Sequence, residues 1–394
     1  MDLIVTLIYL RLNTKNNGLS YGYLGTYVKK PVLGHDALVN SFDFEYRPSS
    51  LLRYTGNFIH SDLDSGQGYG IRTGFGYDPD KNFSTGASLY YLDKKLNIND
   101  AGYLAFNNRA MVMGRTQFKN TDFDETSIFR SRTYEIGYGY KANANFLKQA
   151  ANFAFKIKSI FSNTSDMNSE IFYRSSGRDH RITRNSKLAP YINMPEGYGG
   201  DVEFNGPRNP RYFYSVKIKR EKGSEHSPQL GWNNSYRGMI KYMPTDSLSF
   251  SFFHKHEKEN KWLNWLNDNL LATFDKKQRT SVLGMEWFSG TKHELRIKGQ
   301  LVAFTGRNPV PYLGDINGNL VRTDILIPGI TISELAFQVR YRYEILPLAY
   351  LYVVYSKGGR ISSDDEEDSL QELYKRPWED PSDENFTVKL RYRF

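Results

Sequence analysis

The last nine residues place Lys389, Arg391 and Arg393 in alternation with Phe386, Val388, Leu390, Tyr392 and Phe394. A spacing of two puts the cations on one face of a strand and the apolar side chains on the other. Lys156 and Lys158, Lys217 and Lys219, Arg296 and Lys298, and Arg340 and Arg342 stand in the same alternation with apolar neighbours. A wall of such rows would gather anions from solution. Glu294, Glu344, Asp43 and Glu45 are the carboxylates expected to pair with them, since charges that face an interior usually pair. The weightier expectation is that these cations pair and make the interior face polar.

Other residue groups could do chemistry, and each has a plainer reading. Trp262 and Trp265 could stack on a sugar ring, plug a barrel mouth, or stand as girdle residues at a membrane interface. Indoles favour that interface. His254 and His256 lie on one face of a strand, but a metal would need a third ligand, and none is evident nearby. Asp364, Asp365, Glu366, Glu367 and Asp368 could hold a divalent cation in a long loop. Their spacing matches no EF-hand, and blocks of like charge are normally solvated. Asp179-His180 has no serine in a G-x-S-x-G context. Gly66-Gln67-Gly68-Tyr69-Gly70 is not followed by a helix that would complete a phosphate loop. With no cysteine, thiolate metal sites and cysteine nucleophiles are excluded. No cofactor is called for, and no convincing catalytic constellation emerges. An active site assembled from separate strands stays open.

The elements that would position these residues are strands. Period-two segments recur at Phe42 to Tyr46, Phe153 to Ile157, Tyr212 to Ile218, Leu295 to Leu301 and Leu335 to Tyr343. No helix-period segment of comparable length competes. Hydrophobic residues make up only 39% of the 394 and mean hydropathy is -0.59, so no spanning helix is present in the sequence. Aromatics at 15%, with 29 Tyr and 25 Phe, exceed what a soluble core needs. A barrel with an apolar exterior and a polar interior reconciles the two. The net charge of +9 is spread along strands and not gathered in a patch, which speaks against nucleic acid as a partner.

Short turns at 47–50, 78–81, 207–210, 244–246, 289–291 and 346–348 alternate with long polar segments. Those segments are 62–66, 96–108, 182–197, 257–269, 306–328 and 356–385. This is the rhythm of periplasmic turns and extracellular loops. The reading is all-β: one transmembrane antiparallel β-barrel domain over residues 1–394, with about 18–20 strands. Single-chain barrels normally have even counts. The segment Leu3 to Leu12 reads as a strand already under way, without a signal peptide. About 19 strands can be counted, an odd number, so strands upstream of Met1 are expected.

Several stretches resemble one family. They are Leu96 to Asn108, Lys258 to Phe274, Trp287 to Phe304, Ile332 to Gly359 and the closing FTVKLRYRF. They look like the C-terminal barrel, a domain of unknown function, of bacterial outer-membrane carbohydrate-binding family-nine domain-containing proteins. The resemblance implies a Gram-negative outer-membrane location and an upstream β-sandwich that resembles sugar-binding modules. It also implies that Phe386, Val388, Leu390, Tyr392 and Phe394 act as the signal read by the barrel-assembly machinery. It supplies no activity. The expected function is a non-enzymatic solute channel, transporter or anchor for an upstream periplasmic domain. Outer-membrane lipid and lipopolysaccharide would surround it, and small anionic or saccharide solutes would be its cargo. A membrane-embedded hydrolase of glycans or lipids and a surface adhesin are the alternatives.

Overall fold

A computed structural model describes residues 6–16, 18–30, 35–99, 102–184, 186–223, 230–363 and 369–392. Nearly every element is a strand, because aromatic and β-branched side chains at every second position fit a pleated surface. The first eight are β1 (Thr6–Asn16), β2 (Leu19–Lys30), β3 (His35–Tyr46), β4 (Leu52–Leu63), β5 (Gly66–Tyr77), β6 (Phe83–Leu92), β7 (Arg109–Asn120) and β8 (Phe129–Ala142). Next come β9 (Asn152–Phe161), β10 (Asp166–Arg174), β11 (Gly177–Asp179), β12 (Ile192–Met194), β13 (Gly197–Asn205) and β14 (Tyr212–Lys222). The last third holds β15 (Trp232–Thr245), β16 (Leu248–Asn267), β17 (Leu270–Ser289), β18 (His293–Gly314), β19 (Leu320–Arg322), β20 (Ile330–Leu346) and β21 (Ala349–Ser363). One helix, α1 (Glu372–Glu379), and β22 (Asp383–Arg391) close the chain. Twenty strands belong to one antiparallel sheet, and β11 and β12 stand outside it. The all-β expectation and its strand number hold.

Chain contacts divide the protein into two compact units, with β8, β9, β10 and β11 contributing residues to both. In the first unit β1 to β8 form an up-and-down meander of successive antiparallel pairs. The registers line Tyr23, Phe42, Phe58 and Ile71 across one face, and Tyr21 and Phe44 beside them. That apolar face is exposed: Phe58 keeps 45% of its surface and Ile71 44%. The opposite face carries Glu45, Thr55 and Gly74 in one row and Asp43, Asn57 and Arg72 in the next.

The second unit repeats this division. Registers from β13 to β22 align Val202, Ile218 and Tyr236, then Tyr214, Ile240, Phe252 and Leu283, then Ile297, Val339 and Tyr355. They end on Phe386, Val388 and Leu390, paired with Tyr355, Val353 and Leu351. Ile240, Leu283 and Val388 are exposed, whereas the carboxylates Glu221, Glu259 and Glu294 on the other face are almost fully buried. This inverts the arrangement of a water-soluble sheet, where a wet face is polar.

Several segments differ from the sequence reading. Residues 257–267, expected within a long loop, continue β16, and the turn at 268–269 leads directly into β17, so both strands are twenty residues long. Residues 62–66 are a tight turn, because β4 runs to Leu63 and β5 starts at Gly66. The long segment expected at 306–328 is shorter, because 306–314 extend β18 and Leu320–Arg322 form β19. The final loop contains α1, which the sequence did not announce. The acidic run Asp364, Asp365, Glu366, Glu367 and Asp368, together with Arg393 and Phe394, lies outside the described residues.

The helix begins with a reciprocal cap. The Ser369 amide donates to Glu372 Oε2 at 2.8 Å, and the Glu372 amide donates to Ser369 Oγ at 3.2 Å. This is a capping box. The hydrogen bond from the Ser369 amide holds the Glu372 carboxyl below the usual carboxylate range, with help from the Ser369 side chain, Arg376 and Lys375. A depressed folded-state pKa stabilises above the unfolded value, and that contribution is lost as pH falls through the depressed one. Acidification is therefore expected to loosen α1 in the native chain. Glu372→Gln should remove that pH dependence, and Ser369→Ala should cost the helix about 1 kcal/mol at neutral pH. Fluorescence of Trp378, stacked edge-on against Phe337 at 5.1 Å, reports both effects.

Candidate functional site

The polar face of the second unit is built by register. Because β13 and β14 pair, Lys217 Nζ lies 2.7 Å from Asp201 and 3.7 Å from Glu203, and Arg237 on β15 reaches Glu203 from the other side. Lys219 pairs with Glu221 at 2.8 Å, Lys255 with Glu257 at 2.8 Å and Lys276 with Glu259 at 3.1 Å. Arg296 and Arg342 share Glu294, the latter at 2.9 Å, and Arg296 lies 3.9 Å from Glu286. Buried carboxylates are tolerable because each is paired. Of the cations singled out from sequence, Lys217, Lys219, Arg296 and Arg342 are thus paired. Lys156 on β9 meets Glu135 at 3.9 Å in the first unit.

A second group is not neutralised. Lys158, Lys298, Arg340, Lys389 and Arg391 have no carboxylate partner among the described residues. Arg340 sits directly opposite Arg296, and Lys389 lies opposite Tyr352, whose other neighbour is Arg342. Like charges facing each other across a ladder are unfavourable unless solvent or an anion intervenes. β18, β20 and β22 therefore present a stretch of net positive polar surface.

In the first unit the polar face holds a recess of about 660 Å³. Asp43, Glu45, Arg53, Asn57 and Arg72 line it. Room exists partly because β5 places glycine at Gly74 on that face. A Cβ at Gly74 would come within 3.0 Å of Ser88 Oγ, and one at Gly76 would approach the Arg53 guanidinium. The Arg72 guanidinium lies over the Tyr90 ring at 4.8 Å, and Glu45 pairs with Arg47 at 2.6 Å. Asp43 and Arg53 remain without an ion-pair partner among the described residues. Donors and acceptors of both signs around an open hollow suit hydrogen bonding to a polar, hydroxyl-rich or charged solute. Sequence reasoning missed this recess, although glycine at alternate positions of β5 was visible.

The tryptophans stand in β16 and not in a loop. A bulge between Glu259 and Trp262, with Lys261 at φ 54°, adds a residue to β16 and so turns Trp262 onto the polar side. There it packs against Phe274 and Phe304, with Lys276 Nζ 5.3 Å above its ring. Trp265 covers a cluster of Ala189, Ile192, Leu263 and Leu271, and the Arg184 guanidinium lies 4.2 Å over it. These contacts take up the ring faces that a sugar would need.

His254 and His256 do not form a metal pair. His254 Nδ1 is 2.8 Å from Ser281 Oγ, and Arg279, a cation, stands opposite His256. The serine–histidine contact lacks an orienting carboxylate among the described residues, and no group of three metal-binding side chains occurs among them.

No curated protein matches the sequence. Solved structures with similar chains include the copper transporter OprC, at 8% identity over 88% of this chain and 71% of that one, with a TM-score of 0.47. The ferric citrate transporter FecA in its unliganded form aligns at 12% identity over 90% and 56%, with a TM-score of 0.36. A bacterial polysaccharide outer membrane secretin aligns at 8% identity over 85% and 89%, with a TM-score of 0.30. A family model described as domain of unknown function DUF5916 matches residues 16–394, nearly the whole chain, and the chain belongs to that family.

Proposed function

We propose that this chain is the wall of an outer-membrane β-barrel that passes or holds polar solutes and performs no catalysis. The observation that carries this reading is the inverted sheet. Exposed Phe, Tyr, Leu and Ile fill one face, while nearly buried Glu221, Glu259 and Glu294 sit in ion pairs on the other. Such a face is stable against lipid, and the opposite face then borders a water-filled lumen. Unneutralised Lys158, Lys298, Arg340, Lys389 and Arg391 favour anions there, and the recess at Asp43 and Arg53 suits saccharides or other polar cargo. Phe386, Val388, Leu390 and Tyr392, all exposed on the apolar face, fit the role of an assembly signal. A carbohydrate-binding family-nine domain upstream would deliver or retain the solute at the periplasmic side.

Planar-bilayer recordings under a potassium chloride gradient test this. The reversal potential is expected to favour chloride, and Arg340→Gln combined with Lys389→Gln should move it toward zero. Cation preference in the intact protein would remove the proposal.

A further inference from the structure

Helix α1 lies over the apolar face, where nothing in a simple barrel wall requires cover. Leu373 is fully buried, its carbonyl accepts from Ser333 Oγ, and Tyr374 OH is 3.3 Å from Ser281 Oγ. Between helix and wall is a crevice of about 590 Å³. Leu283, Ile297, Leu301 and Phe337 form its floor, and Tyr374 and Trp378 its roof. Gly299 keeps the floor open, since a Cβ there would meet only Phe337, at 3.5 Å. The walls are apolar in a part of the surface read as facing lipid, so the occupant must be apolar as well.

The same face turns basic just beyond the crevice. Two residues past Ser281 and His254 along the ladder, Arg279 faces His256, and two further on Lys277 faces Lys258. Lys375 lines the crevice from the helix, with Glu379 one turn beyond it. Lys258, Lys277 and Arg279 have no ion pair among the described residues; Asp275, on the same side, is engaged by Asn308 at 3.0 Å. Lysines placed directly opposite each other repel. An anion bound between them would relieve this, and a phosphate is matched by guanidinium and ammonium donors.

Resting on the reading that the apolar face meets the bilayer, we infer that this is a specific site for one phosphorylated lipid. An acyl chain fills the crevice under α1, and the phosphate sits among Lys258, Lys277 and Arg279. The juxtaposition of an open apolar slot and uncompensated cations at its end fits such a molecule and no fully apolar or fully water-soluble one.

Native mass spectrometry of the detergent-purified full chain, titrated with diphosphorylated lipid A, tests the site. One lipid is expected to remain bound, with retention lowered about tenfold by Lys277→Ala with Arg279→Ala, the scale of losing charge-assisted contacts. Gly299→Trp, which fills the slot from an outward position, should lower it as much. Gly299→Leu provides a milder occlusion should the tryptophan variant fail to fold. Insertion into vesicles, read as resistance to unfolding in cold detergent gels, should be unchanged in all of them. Equal retention by wild type and the Gly299 variants, or equal retention of dephosphorylated lipid, overturns the site. Failure of the wild type itself to insert would instead strike the membrane reading beneath it.

Discussion

Ile240→Arg is expected to destabilise the membrane-inserted protein by about 2–4 kcal/mol, the range for arginine near the midplane on a lipid-facing strand. Ile240 stands between Tyr214 and Phe252 in the register and keeps 49% of its surface outside protein contacts. In water an arginine at so exposed a position would change stability by less than about 0.5 kcal/mol. The two solvents therefore give different answers for one substitution. Urea titration in phosphatidylcholine vesicles, with Lys241→Arg on the opposite face as reference, measures the difference. A loss below about 0.5 kcal/mol would show that the apolar face does not meet lipid.

Glu294→Gln should have an effect of similar size for a different reason. Its carboxylate is nearly buried and forms ion pairs with Arg296 and Arg342, whose side chains keep 38% and 32% of their surface. Removing one member of a buried pair leaves charge uncompensated and costs about 3–5 kcal/mol. The partly exposed arginines put this case near the lower end, about 3 kcal/mol. The variant also adds one net positive charge to the stretch that holds Arg340, so chloride preference should rise as stability falls. Unfolding midpoint and reversal potential should move together. Glu334→Gln, which releases only the exposed Arg360, serves as a control and should lose little.

The parity of these strands was legible without coordinates, because lipid and water impose opposite requirements on alternate residues. Phe386, Val388 and Leu390 could be assigned to one face from spacing alone. Partners were not legible: Lys217 stands sixteen residues from Asp201, and only the register of β13 with β14 brings them together. Strand ends were misread for a related reason. Where β16 continues past Glu257 both faces carry polar residues, so alternation fades although the backbone ladder runs on to Asn267. The bulge at Lys261 then reverses parity and moves Trp262 to the side opposite the one that counting by twos predicts. Helix α1 offers two turns interrupted by Pro377, too short a period to be recognised.

The length of β16 and β17 has a mechanical consequence. A tilted strand crosses the apolar belt in about ten residues, whereas each of these has twenty. Roughly half of the hairpin then stands clear of the bilayer, about 30 Å measured along the strand. It is braced by β18 alongside and by the buried packing of Ile192 and Leu271. A peptide tag inserted at Asp268–Asn269 would ride on a stiff mast, held at a fixed height above the apolar belt.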